Sequence, residues 1–235
     1  MEKLVYAVWR RQGDAAHQFS TRLRADLPET LAELGVVGLQ VNVADDDVAD
    51  AMVRITAHDP AIDGALSIWV ATASDAARLP IEAAISEVTG SFAGWLVTES
   101  VPLPNPATPS GSRTPGYANL AFLRRPAELD QAEWLHRWQG SHTTVAIETQ
   151  STFGYTQNVV VRAVTEGAPE VHGIVEELFP AEAMTDLHAF FDTGGDDDEL
   201  ARRMAAMGAS VSNFGADRVI DVVPTSRYVV TTPFS

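Results

Sequence analysis

Leu4-Val5-Tyr6-Ala7-Val8-Trp9-Arg10-Arg11 returns as Leu120-Ala121-Phe122-Leu123-Arg124-Arg125. The segments that follow return in the same order. The two Arg pairs lie 114 residues apart, Phe19 and Trp134 lie 115 apart, and Gly38 and Asn42 lie 116 before Gly154 and Asn158. Asp63-Gly64 precedes His172-Gly173 by 109, and Ser91-Phe92 with Pro102 precedes Asn213-Phe214 with Pro224 by 122. The offsets change between elements, where insertions are tolerated. The chain is therefore a duplication, and differences between the copies become pointers to function.

Hydrophobic periodicity gives each copy the order strand, helix, strand, strand, helix, strand. The first copy places strands near 3–11, 36–44, 64–71 and 93–101, with helices near 14–34 and 75–89. The second places strands near 117–125, 152–163, 172–179 and 214–223, with helices near 130–148 and 182–192. A further helix near 196–208 lengthens it, and Tyr228-Val229-Val230 is a candidate last strand. Five prolines between 102 and 116 mark a linker. The expected division is residues 1–102, a Pro-rich linker 103–116, and 117–235. The element order is that of an antiparallel sheet with helices on one face, the ferredoxin-like arrangement. A lone copy leaves its other sheet face bare, so two βαββαβ repeats are expected to bury those faces against each other in one intramolecular α+β barrel.

With 235 residues, 46% hydrophobic and 20% charged, the chain has the composition of a globular protein. Sixteen basic against 32 acidic residues give a formal charge of −16. That excess repels nucleic acid and anionic membranes, so neither is an expected partner. No apolar run reaches the ~20 residues that span a bilayer, and the polar Glu2-Lys3 start does not resemble a signal peptide, so the expected location is cytoplasmic. Zero cysteines exclude disulfides, thiolate nucleophiles and Cys-ligated metals. Asp45-Asp46-Asp47 and Asp196-Asp197-Asp198-Glu199 lack the spacing and central glycine of a calcium loop and are expected to be loops or helix starts. No nucleophile elbow, phosphate loop, dinucleotide fingerprint or zincin motif is present.

Asp130 and Glu133 form a capping-box pattern that sets the phase of the helix behind it. Trp134, Trp138 and His142 then fall on one inward stripe, whereas His136 is expected to be exposed. In the first copy the stripe reads Phe19, Leu23, Leu27, and Pro28 is expected to interrupt the helix. A pocket is therefore expected in the second copy, with its equivalent in the first filled. The second copy also has His172 where the first has Asp63. Two imidazoles could share an acid and a base role. A buried His on an apolar helix is more often a hydrogen-bonded core residue, and aromatic stripes are usually plain core. Trp134, Trp138 and Phe122 are candidate apolar walls, Tyr155 and Asn158 candidate partners of a carbonyl or enolate oxygen, and Glu176 a candidate to orient His172. His17, His58 and His188 read as surface or loop residues.

The second copy resembles the EthD family of the dimeric α+β-barrel superfamily. The resemblance rests on Phe122-Leu123-Arg124-Arg125-Pro126 with Leu129, Trp134-x-x-x-Trp138-x-x-x-His142, Gly173-Ile174-Val175-Glu176 and Phe214. It covers 117–224 well and 3–102 weakly. It implies that His142 holds the family's characteristic histidine position, that no metal or organic cofactor is needed, and that a small molecule binds between helices and sheet. His172 stands where the family has Asp before Gly, and the acid expected before the final Phe is missing around Ser210. The leading expectation is a cofactor-independent lyase or isomerase, of dehydratase or cyclase type, acting on a hydrophobic oxygenated, aromatic or polyketide-like molecule. His142 is its expected base and His172 its acid. A cofactor-free monooxygenase, a non-catalytic carrier and a haem-binding protein with His142 as axial ligand are the alternatives. A homodimer is left open.

Overall fold

A computed structural model describes residues 1–233. Its strands are β1 (Glu2–Trp9), β2 (Gly38–Val43), β3 (Gly64–Val70), β4 (Ser91–Leu103), β5 (Tyr117–Leu123), β6 (Gly154–Ala163), β7 (Gly173–Phe179) and β8 (Ile220–Thr231). They close into one barrel in the order β1-β3-β2-β8-β5-β7-β6-β4, with every neighbouring pair antiparallel. Each copy supplies four consecutive staves in the same relative order, β4-β1-β3-β2 and β8-β5-β7-β6. The seams are β2–β8 and β4–β6. The expected barrel of two ferredoxin-like repeats is thus the observed fold, and closure leaves no sheet edge unpaired.

Long helices cover the outside. In the first copy they are α1, residues 16–33, and α2 (Asp75–Val88); in the second, α3, residues 131–149, and α5 (Asp197–Asn213), with the single turn α4 (Leu187–Phe190) between. Both α1 and α3 contain a π-helical stretch, Arg22–Asp26 and His136–His142. Pro28 does not interrupt α1, because it sits in the first turn of the segment Leu27–Glu33 just after the widened π turn. The apolar core is layered: Val5, Ala7, Trp9, Trp95 and Phe122 inside the barrel, Leu4, Tyr6, Phe19, Leu23 and Leu27 under the first copy's helices, and Ala121, Leu123, Trp134, Trp138 and Val175 under the second's.

Three sequence expectations are corrected. The stretch 182–192 is not the second long helix of its repeat but a 3-10 turn, Ala181–Met184, followed by α4. That role belongs to α5, which starts where Asp196 accepts the backbone N–H of Glu199 and packs on the end of α3. The last strand does not open at Phe214. The chain turns at Gly215 (φ +81°), where a Cβ would meet the Pro126 ring, and Tyr228–Val230 belongs to β8 itself. Third, the register Val8↔Gly64 in one copy and Leu123↔Gly173 in the other fixes the β1/β5 offset at 115 residues, not 114. An odd slip exchanges the two faces of a strand, so matching Arg11 with Arg125 assigns every β5 side chain to the wrong side.

The acidic runs have structural partners. Asp45 accepts from Ser226, Asp47 pairs with Arg113, and Glu199 pairs with Arg202 and Arg203. No helix among the described residues is long and apolar enough to cross a membrane.

Candidate functional site

Asp130 Oδ1 accepts the Glu133 N–H at 2.8 Å and fixes the start of α3. From that start Trp134, Trp138 and His142 all reach the outer face of the second copy's sheet and are buried, while His136 is exposed. The indoles stack tilted at 4.9 Å over the start of β7. Gly173 makes that seat: a Cβ there would stand 2.6 Å from Trp138 Cη2 and 3.1 Å from Trp134 Cη2.

Beyond Trp138 the helices lift off the sheet around a cavity of about 280 Å³. The sheet side presents Asn119, Ala121, Tyr155, Val175 and Glu177, and the helix side presents Trp138, His142, Met207, Val211 and Phe214. The wall is mainly apolar, and His142, Tyr155 and Glu177 are its titratable groups.

Their protonation follows from the surroundings. Burial pushes His142 down to about 4, so its imidazole is neutral at neutral pH. Its ring lies 4.6 Å from that of Phe214, and Nδ1 is 3.0 Å from Ser210 Oγ. A hydroxyl donated to Nδ1 leaves Nε2 carrying the proton. Glu177 shifts the other way: burial raises its carboxyl to about 7. It is half-buried and lines the cavity, and among the described residues no hydrogen bond or ion pair engages the carboxylate. Burial and the Glu177 charge raise Tyr155, which stays a neutral phenol. Asn119 lies directly across from Glu177 in the β5–β7 register, and its buried Oδ1 has no partner among the described residues.

The structure brings together three of the residues singled out from sequence, His142, Trp138 and Tyr155. It separates the others. Phe122 packs inside the barrel against Trp95, at 6.1 Å between rings. Asn158 is buried with its amide donating to the Ile174 carbonyl, on the strand face opposite Tyr155. Glu176 also points into the barrel, where it accepts from Gln40 and Asn42 at 2.8 Å and Arg227 at 3.2 Å, clamping the two copies together. It does not orient His172. That imidazole accepts the Arg125 backbone N–H on Nδ1 at 3.1 Å and, with Trp134, borders a different cavity. The pairing of His142 with His172 across one cleft is therefore not what the fold builds. His17 is exposed, whereas His58 and His188 are half-buried, the one beside Trp9 and the other near Asp197.

Glu177 was missed from sequence although the signal was present. At the offset of 109 residues it stands where the first copy has Ile68. Likewise Ala121 stands for Tyr6 and His142 for Leu27 at an offset of 115. In the first copy those three side chains are fully buried, and the Tyr6 hydroxyl donates to Glu82 at 3.1 Å. The space that is open in the second copy is filled there.

No family profile and no curated protein matches the chain. Solved structures do. An anthrone oxidase-like protein superposes with a TM-score of 0.51 at 11% identity, over 100% of this chain and 94% of its own. A candidate monooxygenase from Fusobacterium nucleatum subsp. nucleatum gives 0.48 at 11% identity over 98% and 92%. A variant of the chlorite dismutase of Candidatus Nitrospira defluvii gives 0.45 at 11% over 96% and 90%. The first of these likenesses supports the fold and carries no residue roles.

Proposed function

We propose that the chain is an enzyme, related to the EthD proteins, that moves a proton on a hydrophobic oxygenated small molecule in the α3–sheet cavity without a metal or organic cofactor. What supports this reading is one observation: a mainly apolar cavity holds an acid raised to about 7 and a histidine lowered to about 4. Titratable neighbours whose environments push them apart mark acid–base assignments.

The roles differ from those expected on sequence. A histidine depressed to about 4 is a weak base, whereas a carboxylate near 7 is poised to take and return a proton at neutral pH. Glu177 takes the proton from carbon next to a carbonyl. The bond's electron pair moves onto the carbonyl oxygen, which His142 Nε2–H and the Tyr155 phenol hold as an enolate. In a dehydration the enolate collapses, the bond to the β-hydroxyl breaks, and Glu177 returns its proton so that water leaves. In an isomerisation the proton returns to another carbon.

Deuterium uptake tests this. Anthrone, the compound in the name of the first structural neighbour, has an acidic methylene conjugated to its carbonyl through the flanking rings, and serves as a probe together with aromatic ketones that carry hydrogen on the carbon next to the carbonyl. Under nitrogen in deuterated buffer, the protein is expected to accelerate label incorporation, and Glu177→Gln to return it to the buffer rate. Oxygen uptake by the metal-free protein in air would move the assignment to the cofactor-free monooxygenase. Tight binding without exchange across the probe panel would move it to a carrier.

A further inference from the structure

Behind the Trp134–Trp138 pair, at the barrel rim next to β6, lies a second cavity of about 390 Å³. Its charge is opposite to that of the molecule. The chain carries −16 overall, yet this cavity is bordered by Arg125 and Arg162 against one carboxylate, Glu170, which is 82% exposed, with the neutral imidazole of His172 beside them.

Its donors are unspent. Trp134 is 1% exposed, and its buried indole N–H has no partner among the described residues. Arg125 gives Nη1 to the Leu129 carbonyl, but its buried Nε–H has no partner among the described residues either. The edge left on that guanidinium, Nε with Nη2, is the one that meets a carboxylate side-on through two parallel hydrogen bonds. His172 adds a third donor of known tautomer, turned in this structure toward the exposed Glu170, whose Oε1 stands 3.5 Å from Nε2. A backbone N–H can only donate, so Nδ1, which receives the Arg125 amide at 3.1 Å, is unprotonated and Nε2 carries the hydrogen. Among the described residues, the Arg162 guanidinium has as partner only the adjacent Ala163 carbonyl at 3.5 Å and forms no ion pair. A buried donor without an acceptor is costly, and an anion seated here would satisfy two of them.

We propose that this cavity binds the carboxylate of a small organic acid with a flat apolar body. Arg125 grips the carboxylate through Nε and Nη2, Trp134 Nε1–H joins it, His172 Nε2–H exchanges the exposed Glu170 for it, and Trp95 and Val171 contact the apolar body. The site lies apart from the cavity of the proposed proton transfer and does not depend on that reading.

Calorimetric titration of the full chain with 1-naphthoate, its neutral amide and inorganic phosphate tests the proposal. The carboxylate is expected to bind, the amide and phosphate to bind at least about tenfold more weakly, and salt to weaken the carboxylate's affinity. Arg125→Gln should weaken it by about tenfold or more, and Trp134→Phe, which keeps a ring and removes the N–H, by severalfold. Arg162→Gln lies on an exposed stretch and should fold normally, so a weakened affinity in that variant carries the test if Arg125→Gln is unstable. Three results overturn the proposal: no binding up to millimolar naphthoate, amide or phosphate binding as tightly, or binding that survives Arg125→Gln and Arg162→Gln but is lost in Glu177→Gln.

Discussion

The outer faces of the two half-sheets have the same backbone plan and opposite contents. Under α1 and α2, Tyr6, Ile68 and Leu27 close the space; under α3 and α5, the equivalent Ala121, Glu177 and His142 open it and bring in two titratable groups. The π-helical stretch occurs in both copies, so it belongs to the inherited scaffold even though such stretches often accompany functional sites. The difference teaches that a site can be made on a duplicated fold by removing one aromatic side chain and exchanging two aliphatic ones, while the other copy keeps the barrel closed.

Exchanging residues between the copies tests that comparison. The largest effect is expected from Tyr6→Ala, which makes the first copy resemble the second: truncating a fully buried aromatic should cost about 3–5 kcal/mol in urea unfolding. It should confer no proton exchange, because Ile68 and Leu27 remain. The converse change, Glu177→Ile, should stabilise the protein by up to about 3 kcal/mol above pH 7, the scale of a carboxyl raised from 4.5 to about 7. The sign follows from proton binding. Between pH 4.5 and 7 the folded state holds a proton that the unfolded state has released, so Glu177 costs stability as pH rises through that window, and the variant's advantage should grow over the same range.

His142→Leu should show the mirror image. A histidine lowered from 6.5 to about 4 is neutral when folded but protonated when unfolded, so its neutral burial favours unfolding as pH falls from 6.5 towards 4. The variant's gain should appear there, reaching a similar few kcal/mol, and vanish above 7. In the native chain the two slopes oppose each other between 4.5 and 6.5. Parallel slopes for the two variants in thermal melts would show that the cavity does not shift these groups in opposite directions. The smallest effect is expected from Ser210→Ala, which removes one hydrogen bond from His142 and should cost about 1 kcal/mol, with a severalfold loss of exchange.

Much of the fold was legible because a duplication states each element twice. The element order of each copy and the inward Trp138–His142 stripe follow from periodicity, and the barrel follows from the bare sheet face that a lone copy would expose. What periodicity alone does not supply is register. Anchoring β1 on β5 by their Arg pairs introduced a one-residue slip, and in a strand one residue is the difference between facing the helices and facing the barrel. That slip places Phe122 at the site, whereas Glu176 enters as a candidate because it shares strand parity with His172, and Glu177, one residue along, does not. The glycines that open β3 and β7 would have been the better anchors, since they place Ile68 opposite Glu177 without counting across a loop. The stretch 182–192 reads as the second long helix of its repeat because it and 197–213 both have helical composition, and only packing on α3 tells them apart.

The most direct test of the central claim is the titration of the Glu177 carboxyl carbon by NMR, assigned by its loss in Glu177→Gln. A midpoint near 7 is the expected result, because a mainly apolar cavity in the second copy withholds water from that carboxylate. A midpoint near the ordinary 4.5 would mean that the cavity is wet, that Glu177 is not poised as a base, and that the two half-sheets differ in packing but not in chemistry.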